Sequence, residues 1–325
     1  MLVIVALMVA FSDRLPFLGE AWDALSDAAP VPLAASVATA FLAIACMSGV
    51  MQILLNVEGR VCGVRDTNAI VLASNAWSTT VPGGPAISAW LTYKVQRSWG
   101  ASVGLCGWFF VISGALSTVW MVVIGIGAVV LLGAQLSVWT LLGSLAVAVL
   151  TIGAVFWATR NPAVLRRWAR LLPERLRGRA VEVVDQVGGI RMGGAQFASA
   201  AVLSLLNQLF DVATMYFAVW AVLGSAPGFS AGLNEITVMG VALAFIMTKL
   251  AGSAQVTPGG FGTVEPVAVG MLVAAGLPLT HATAATVVYR AVSFVLITAI
   301  GWVVYAAVYA GRGFMAGRPA AGKAV

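Results

Sequence analysis

Four ionisable side chains, Asp211, Lys249, Glu265 and Arg290, sit inside long apolar runs. A charge held at the centre of a bilayer costs at least about 2.5–3.5 kcal/mol, so such a residue needs a partner or a task. Two are acids and two are bases, which allows mutual compensation. Arg290 carries a planar fork of donors suited to a phosphate. It can instead snorkel to external headgroups or pair with Glu265. Lys249 can reach a headgroup or a backbone carbonyl. Asp211 lies one helical turn after Asn207, so the two share a face, as a polar clamp between helices would.

Glycine supplies a second kind of chemistry. Val81-Pro82-Gly83-Gly84-Pro85 interrupts the apolar stretch 67–93, and Thr257-Pro258-Gly259-Gly260-Phe261-Gly262 interrupts 235–276. A break of this kind exposes backbone N–H groups at the start of a half-helix, where the dipole also favours an anion. Gly259, Gly260 and Gly262 are candidates in the second half. Pro82, Gly83 and Gly84 are candidates in the first, with Asn75, Ser78, Thr79 and Thr80 adding neutral donors. Glu265 falls in the first turn after the second break, where it either complements the dipole or competes with a phosphate for Arg290.

Other chemistries are excluded. His281 is the only histidine, which rules out an HExxH helix and any metal site built on two or more histidines. The three cysteines, Cys46, Cys62 and Cys106, have neither disulfide nor metal spacing. No P-loop is present. No cofactor and no enzymatic activity are expected.

The elements that must hold these residues follow from composition. Of 325 residues, 61% are hydrophobic and 9% charged, against about 25% charged in soluble domains. The chain therefore reads as a single integral membrane domain. Full spans are expected at 33–57, 100–133, 136–159, 196–223 and 283–309. Met1 to Phe11 is too short to cross, which suggests a partial helix or a chain that begins upstream. The loops at 58–66, 94–99 and 160–195 and the tail 311–325 hold 15 of the 18 Lys and Arg residues. The positive-inside rule puts them in the cytoplasm, with the C-terminus, and nucleic acid is not the partner. Within the basic loop, Asn161-Pro162 starts either a short interfacial helix, with Val164, Leu165 and Trp168 opposite Arg166, Arg167 and Arg170, or a loop that only fixes topology.

Parity decides the broken segments. If 67–93 crossed the membrane, the eight arginines of the 160–195 loop would face outside. It is therefore expected to be a re-entrant hairpin from the cytoplasmic face. The arm Gly262–Gly276 rises only about 22 Å as a helix, short of the ~30 Å core, so 235–276 is expected to re-enter from the opposite face. The predicted fold is an all-α polytopic membrane protein. It is an inverted repeat with two re-entrant helical hairpins broken at Pro-Gly-Gly, the first half 1–159 and the second 196–310. Paired interrupted segments point to a transporter whose site lies between the repeats.

The run Thr257-Pro258-Gly259-Gly260-Phe261-Gly262-Thr263-Val264-Glu265, then Gly276-Leu277-Pro278, Ala284-Ala285 and Tyr289-Arg290, resembles the second half of the lysylphosphatidylglycerol synthase transmembrane (flippase-like) family. Asn75 through Pro82-Gly83-Gly84 is similar to its first-half motif. The resemblance extends from about Leu33 to Tyr309 and implies a polytopic lipid flippase module. In the first half the family pattern carries charge, whereas Ala86-Ile87-Ser88-Ala89-Trp90 here carries none. After the last span only Gly311–Val325 follows, so aminoacyl transfer is not expected of this chain.

The leading expectation is a plasma-membrane flippase moving an anionic phospholipid or a lipid-linked sugar. The alternatives are a non-transporting subunit that scaffolds a separate synthase or glycosyltransferase, and a secondary transporter of a small anion. The expected substrate-binding residues are Arg290, Glu265, Pro258, Gly259, Gly260, Gly262, Pro82, Gly83, Gly84, Asn75, Lys249 and Asp211. Small-residue helix faces admit a homodimer.

Overall fold

A computed structural model of the chain describes residues 27–132, 190–253, 258–260 and 262–314, together with scattered positions between 142 and 186. The partial helix expected at 1–11, the tail from 315, and most of the span 136–159 and of the basic loop lie outside the described residues. Those described form an all-helical chain. Its helices are α1 (Pro30–Leu55), α2 (Val64–Thr80), α3 (Gly84–Ser98), α4 (Val103–Leu132), α5 (Gly194–Leu223), α6 (Val238–Ser253), α7 (Val264–Ala274), α8 (Leu279–Arg290) and α9 (Ile297–Val308). A π-helical turn, Ala291–Leu296, joins α8 to α9.

Four helical stretches among the described residues are long and apolar enough to cross a bilayer: Pro30–Leu55, Val103–Gly127, Gly194–Leu223 and Leu279–Val308. Both of the last two have 30 residues, about 45 Å of helix against a ~30 Å core. The chain is a multi-pass membrane protein. The last span starts at Leu279, four residues before the expected Thr283, because Pro278 sits at its N-cap, where the missing N–H is not needed.

The segments broken at Pro-Gly-Gly are pairs of short helices. α2 and α3 have 17 and 15 residues; α6 and α7 have 16 and 11. The first pair is longer than its apolar stretch 67–93. At its start the Asp66 carboxylate accepts the Gly63 N–H at 3.0 Å, a capping interaction that favours helix from Val64. At its end α3 runs on through Lys94 and Arg97. α2 stops at Thr80 because a residue before proline is pushed out of the helical region; Val81 is extended. Gly83 is left-handed and Pro85 lies in the first turn of α3. Gly84 admits no side chain: a Cβ there would overlap the Ser78 carbonyl.

The chain divides into two compact units. Unit 1 comprises residues 1–40 and 211–296, and unit 2 comprises 41–210 and 297–325. In unit 1, Ser36 donates to the Thr214 carbonyl at 2.9 Å, and the Thr39 and Thr214 hydroxyls meet at 3.1 Å. These clamps join α1 to α5 through small polar side chains, as lipid-embedded helices commonly pair. In unit 2, α2 packs on α9. Trp77 lies 5.1 Å from Trp302 and 5.3 Å from Tyr305 between ring centroids, and the Thr79 and Thr298 hydroxyls are 3.0 Å apart. Leu54, Leu55, Ile70, Leu91 and Ile112 form its buried core.

Candidate functional site

The break in the second hairpin is held by one arginine. Arg290 ends α8 in unit 1 and is buried, at 7% exposure. One nitrogen, Nη2, donates to the Gly259 carbonyl at 2.8 Å and lies 2.8 Å from Glu265 Oε1. The guanidinium carbon stands 4.4 Å over the Phe294 ring, a cation–π arrangement. Phe294 comes round to that position within the π-helical turn Ala291–Leu296, and Ser293 donates to the Tyr289 carbonyl at 2.7 Å. Such π-turns widen a helix locally and occur often at functional sites.

Glu265 uses its two oxygens differently. Oε1 takes Arg290, and Oε2 accepts the Gly262 N–H at 2.9 Å. The Gly262 amide, expected free for an anion, is therefore occupied by the acid three residues on, in the reach-back geometry of a helix N-terminus. Pro258–Gly260 forms a single 3-10 turn in which Gly259 and Gly260 are left-handed, with φ of 63° and 68°. Gly260 packs closely: a Cβ would lie 3.7 Å from Gly252 Cα and drive into the Val264 side chain.

Asp211 and Lys249 form the other intramembrane pair of unit 1, at 2.7 Å, with about a third of each side chain exposed. Lys249 also stands 5.2 Å over the Phe245 ring. The ammonium thus reaches the Asp211 carboxylate. Asn207, one turn before Asp211, donates to the Ala43 carbonyl at 2.9 Å within unit 2, as a helix clamp would.

In the first hairpin the Gly84 N–H, expected free, donates to the Val81 carbonyl at 2.8 Å, because the Pro-Gly-Gly bend closes as a tight turn. Pro82 and Gly83 are exposed at that turn. Asn75 lies two turns back on α2. It lines a cleft of about 290 Å³ in unit 2, walled by α1, α2, α3 and α4. Its lining residues include Ser74, Ser78, Ser88, Thr92 and Ser113 and none that is charged. Sequence reasoning missed this cleft. Its signal is Ser88 and Thr92, one turn apart on one face of α3. Among the described residues no three His, Cys, Asp or Glu side chains gather as a metal site would require.

A UPF0104 membrane protein of Methanothermobacter thermautotrophicus is 32% identical over 113 residues, a match covering 35% of this chain and 30% of that protein. The family described as the lysylphosphatidylglycerol synthase TM region matches residues 1–301. The chain belongs to the lysylphosphatidylglycerol synthase transmembrane family.

Proposed function

We propose that the protein is a lipid flippase of the plasma membrane, moving an anionic phospholipid or a lipid-linked sugar between leaflets. Its substrate is a membrane lipid, and its tail faces the cytoplasm. The observation that carries this reading is the Arg290 latch: a buried guanidinium holds the break of a hairpin whose arms are too short to span. A lipid phosphate competes with Glu265 for the same fork of donors, and winning that competition loosens the turn at Gly259. Each compact unit contains one such broken hairpin, which supports an inverted repeat of re-entrant elements. Family membership supports a membrane module of this kind.

The latch as it stands also favours a second reading. Glu265 Oε1 and the Gly259 carbonyl together already engage Arg290, as a purely structural brace would. On that reading the protein is a non-transporting subunit that scaffolds a separate synthase or glycosyltransferase. The test is leaflet-specific movement of fluorescent phospholipid and glycolipid in proteoliposomes, read by impermeant quenching. Movement above that of protein-free vesicles is expected. Its absence for both lipids, with the protein folded, overturns the flippase reading. Uptake of a small soluble anion without lipid movement would select a secondary transporter instead.

A further inference from the structure

The cleft beside the first hairpin is neutral and lined by serine and threonine hydroxyls and one amide. Ser74 donates to the Val71 carbonyl at 3.1 Å and Ser88 to the Pro85 carbonyl at 3.1 Å. Ser113 donates to the Phe110 carbonyl at 3.4 Å. Their hydrogens are spent within their own helices, which leaves oxygen lone pairs for the cleft. Asn75 Oδ1 is buried there with no partner among the described residues. Leaving such a group unsatisfied is costly, so a donor from an ordered water or an occupant of the cleft is favoured.

The chemistry of that occupant follows by elimination. A phosphate carries negative charge, and no Lys or Arg lines the cleft to meet it. An ammonium brings donors, but no carboxylate lines the cleft, and a buried cation without a counter-charge is disfavoured. A hydroxyl both donates and accepts, so it satisfies the Asn75 amide in either orientation. Phe109 and Phe110 add apolar faces to the wall. The volume is at the small end for ligand sites, which begin at roughly 300 Å³, and suits one headgroup rather than a whole lipid.

We propose that this cleft seats the uncharged, hydroxylated part of the headgroup, a glycosyl or glycerol-type polyol, of the lipid that the protein moves. The proposal rests on the flippase reading for its source of ligand, and on Asn75, Thr92 and the serines for its chemistry.

The experiment measures binding rather than transport. The full chain in nanodiscs is titrated with monoglucosyl-diacylglycerol, with phosphatidic acid of the same acyl chains, and with free methyl glucoside, and bound ligand is read by native mass spectrometry. The glucosyl lipid should bind. Asn75→Leu should weaken it about tenfold, as losing one or two hydrogen bonds would, and leave phosphatidic acid unchanged. Thr92→Val, isosteric and on the other arm of the hairpin, should act in the same direction and covers the case in which the Asn75 variant does not fold. No binding of the glucosyl lipid, or binding indifferent to both substitutions, overturns the proposal. Equal binding of free methyl glucoside overturns the lipid as the source. Asn75-dependent binding without leaflet movement would sink the flippase reading alone. Movement with Asn75-independent binding would sink the cleft alone.

Discussion

Arg290 and Glu265 meet at 2.8 Å across the break of the second hairpin, and the same arginine nitrogen holds the Gly259 carbonyl. The pair thus joins three points: the end of α8, the first turn of α7 and the 3-10 turn between α6 and α7. Side-chain exposures of 8% and 19% place it largely out of water. Coupling between turn geometry and charge is the physical core of the proposed mechanism.

Arg290→Ala should abolish lipid movement. It should also lower stability by about 3–5 kcal/mol, because Glu265 would stay buried without its cation. Arg290→Lys should fall between, keeping the charge and losing the fork. Adding Glu265→Gln to Arg290→Ala should restore much of the thermal stability and none of the movement. A stable double variant that moves lipid at the wild-type rate would remove Arg290 from the transport path.

Gly260 and Gly262 both have positive φ, 68° and 80°, but only Gly260 is crowded. Gly262→Ala should cost about 1–2 kcal/mol, the penalty of the left-handed region for a residue with a Cβ. Gly260→Ala should cost more, because the new methyl also displaces the Val264 side chain. Thermal unfolding in detergent ranks the two. The reverse order would mean that the turn is not held as described.

Much of this site can be read from the sequence, and the remainder has physical reasons for escaping it. Pro-Gly-Gly marks both breaks because proline excludes helix before it and glycine accepts left-handed backbone. The mutual compensation of Asp211, Lys249, Glu265 and Arg290 follows from the cost of charge in lipid. Hairpin length does not: α3 continues through Lys94 and Arg97, since a helix persists by backbone hydrogen bonds where the apolar run has ended. The Gly259 carbonyl as a partner of Arg290 depends on the turn's path, and the π-turn at Ala291–Leu296 leaves no mark in hydropathy. The cleft escaped because serine and threonine in membrane helices usually bond their own backbone, and only packing shows which lone pairs converge.

Asp211 and Lys249, 2.7 Å apart, should behave as a unit. Asp211→Asn or Lys249→Gln alone should destabilise by about 1–3 kcal/mol, limited by partial exposure and by snorkelling. The double substitution should recover part of that loss. A double-mutant cycle on thermal stability checks it, and strict additivity would show the pair to be energetically idle.

Cys62 lies in the loop between α1 and α2, where burial, aided by the nearby Asp66 charge, pushes its thiol from 9.0 up to about 11. Only the thiolate alkylates, so at pH 7.4 its thiolate fraction is about a hundredfold below that of an ordinary thiol. Asn56 fixes the loop around it, accepting the Val61 and Cys62 N–H groups at 2.7 and 3.0 Å. Maleimide should therefore label Cys62 slowly in the folded protein, faster in Asn56→Ala, and faster still as pH rises. Rapid labelling at neutral pH in the wild type would contradict the burial of this loop.

Glu265→Gln separates the two tasks open to Glu265. The amide oxygen can still accept the Gly262 N–H, so the start of α7 keeps its cap, while the charge that holds Arg290 is gone. If Glu265 gates by competing with lipid phosphate, its removal leaves Arg290 free to hold that phosphate longer. Retention of phosphatidic acid should then rise and leaflet-specific movement slow, whatever stability is lost by leaving Arg290 without its anion. If Glu265 is a brace alone, stability should fall and retention stay level, because no competition is relieved. The competing-anion mechanism predicts the first pattern, and it also predicts that high concentrations of phosphatidic acid slow wild-type movement less than they slow the variant's. Native mass spectrometry for retention, quenching in proteoliposomes for movement and thermal unfolding for stability resolve the three quantities on one preparation. Lower stability with unchanged retention would assign Glu265 to the architecture of the hairpin and remove it from the transport cycle.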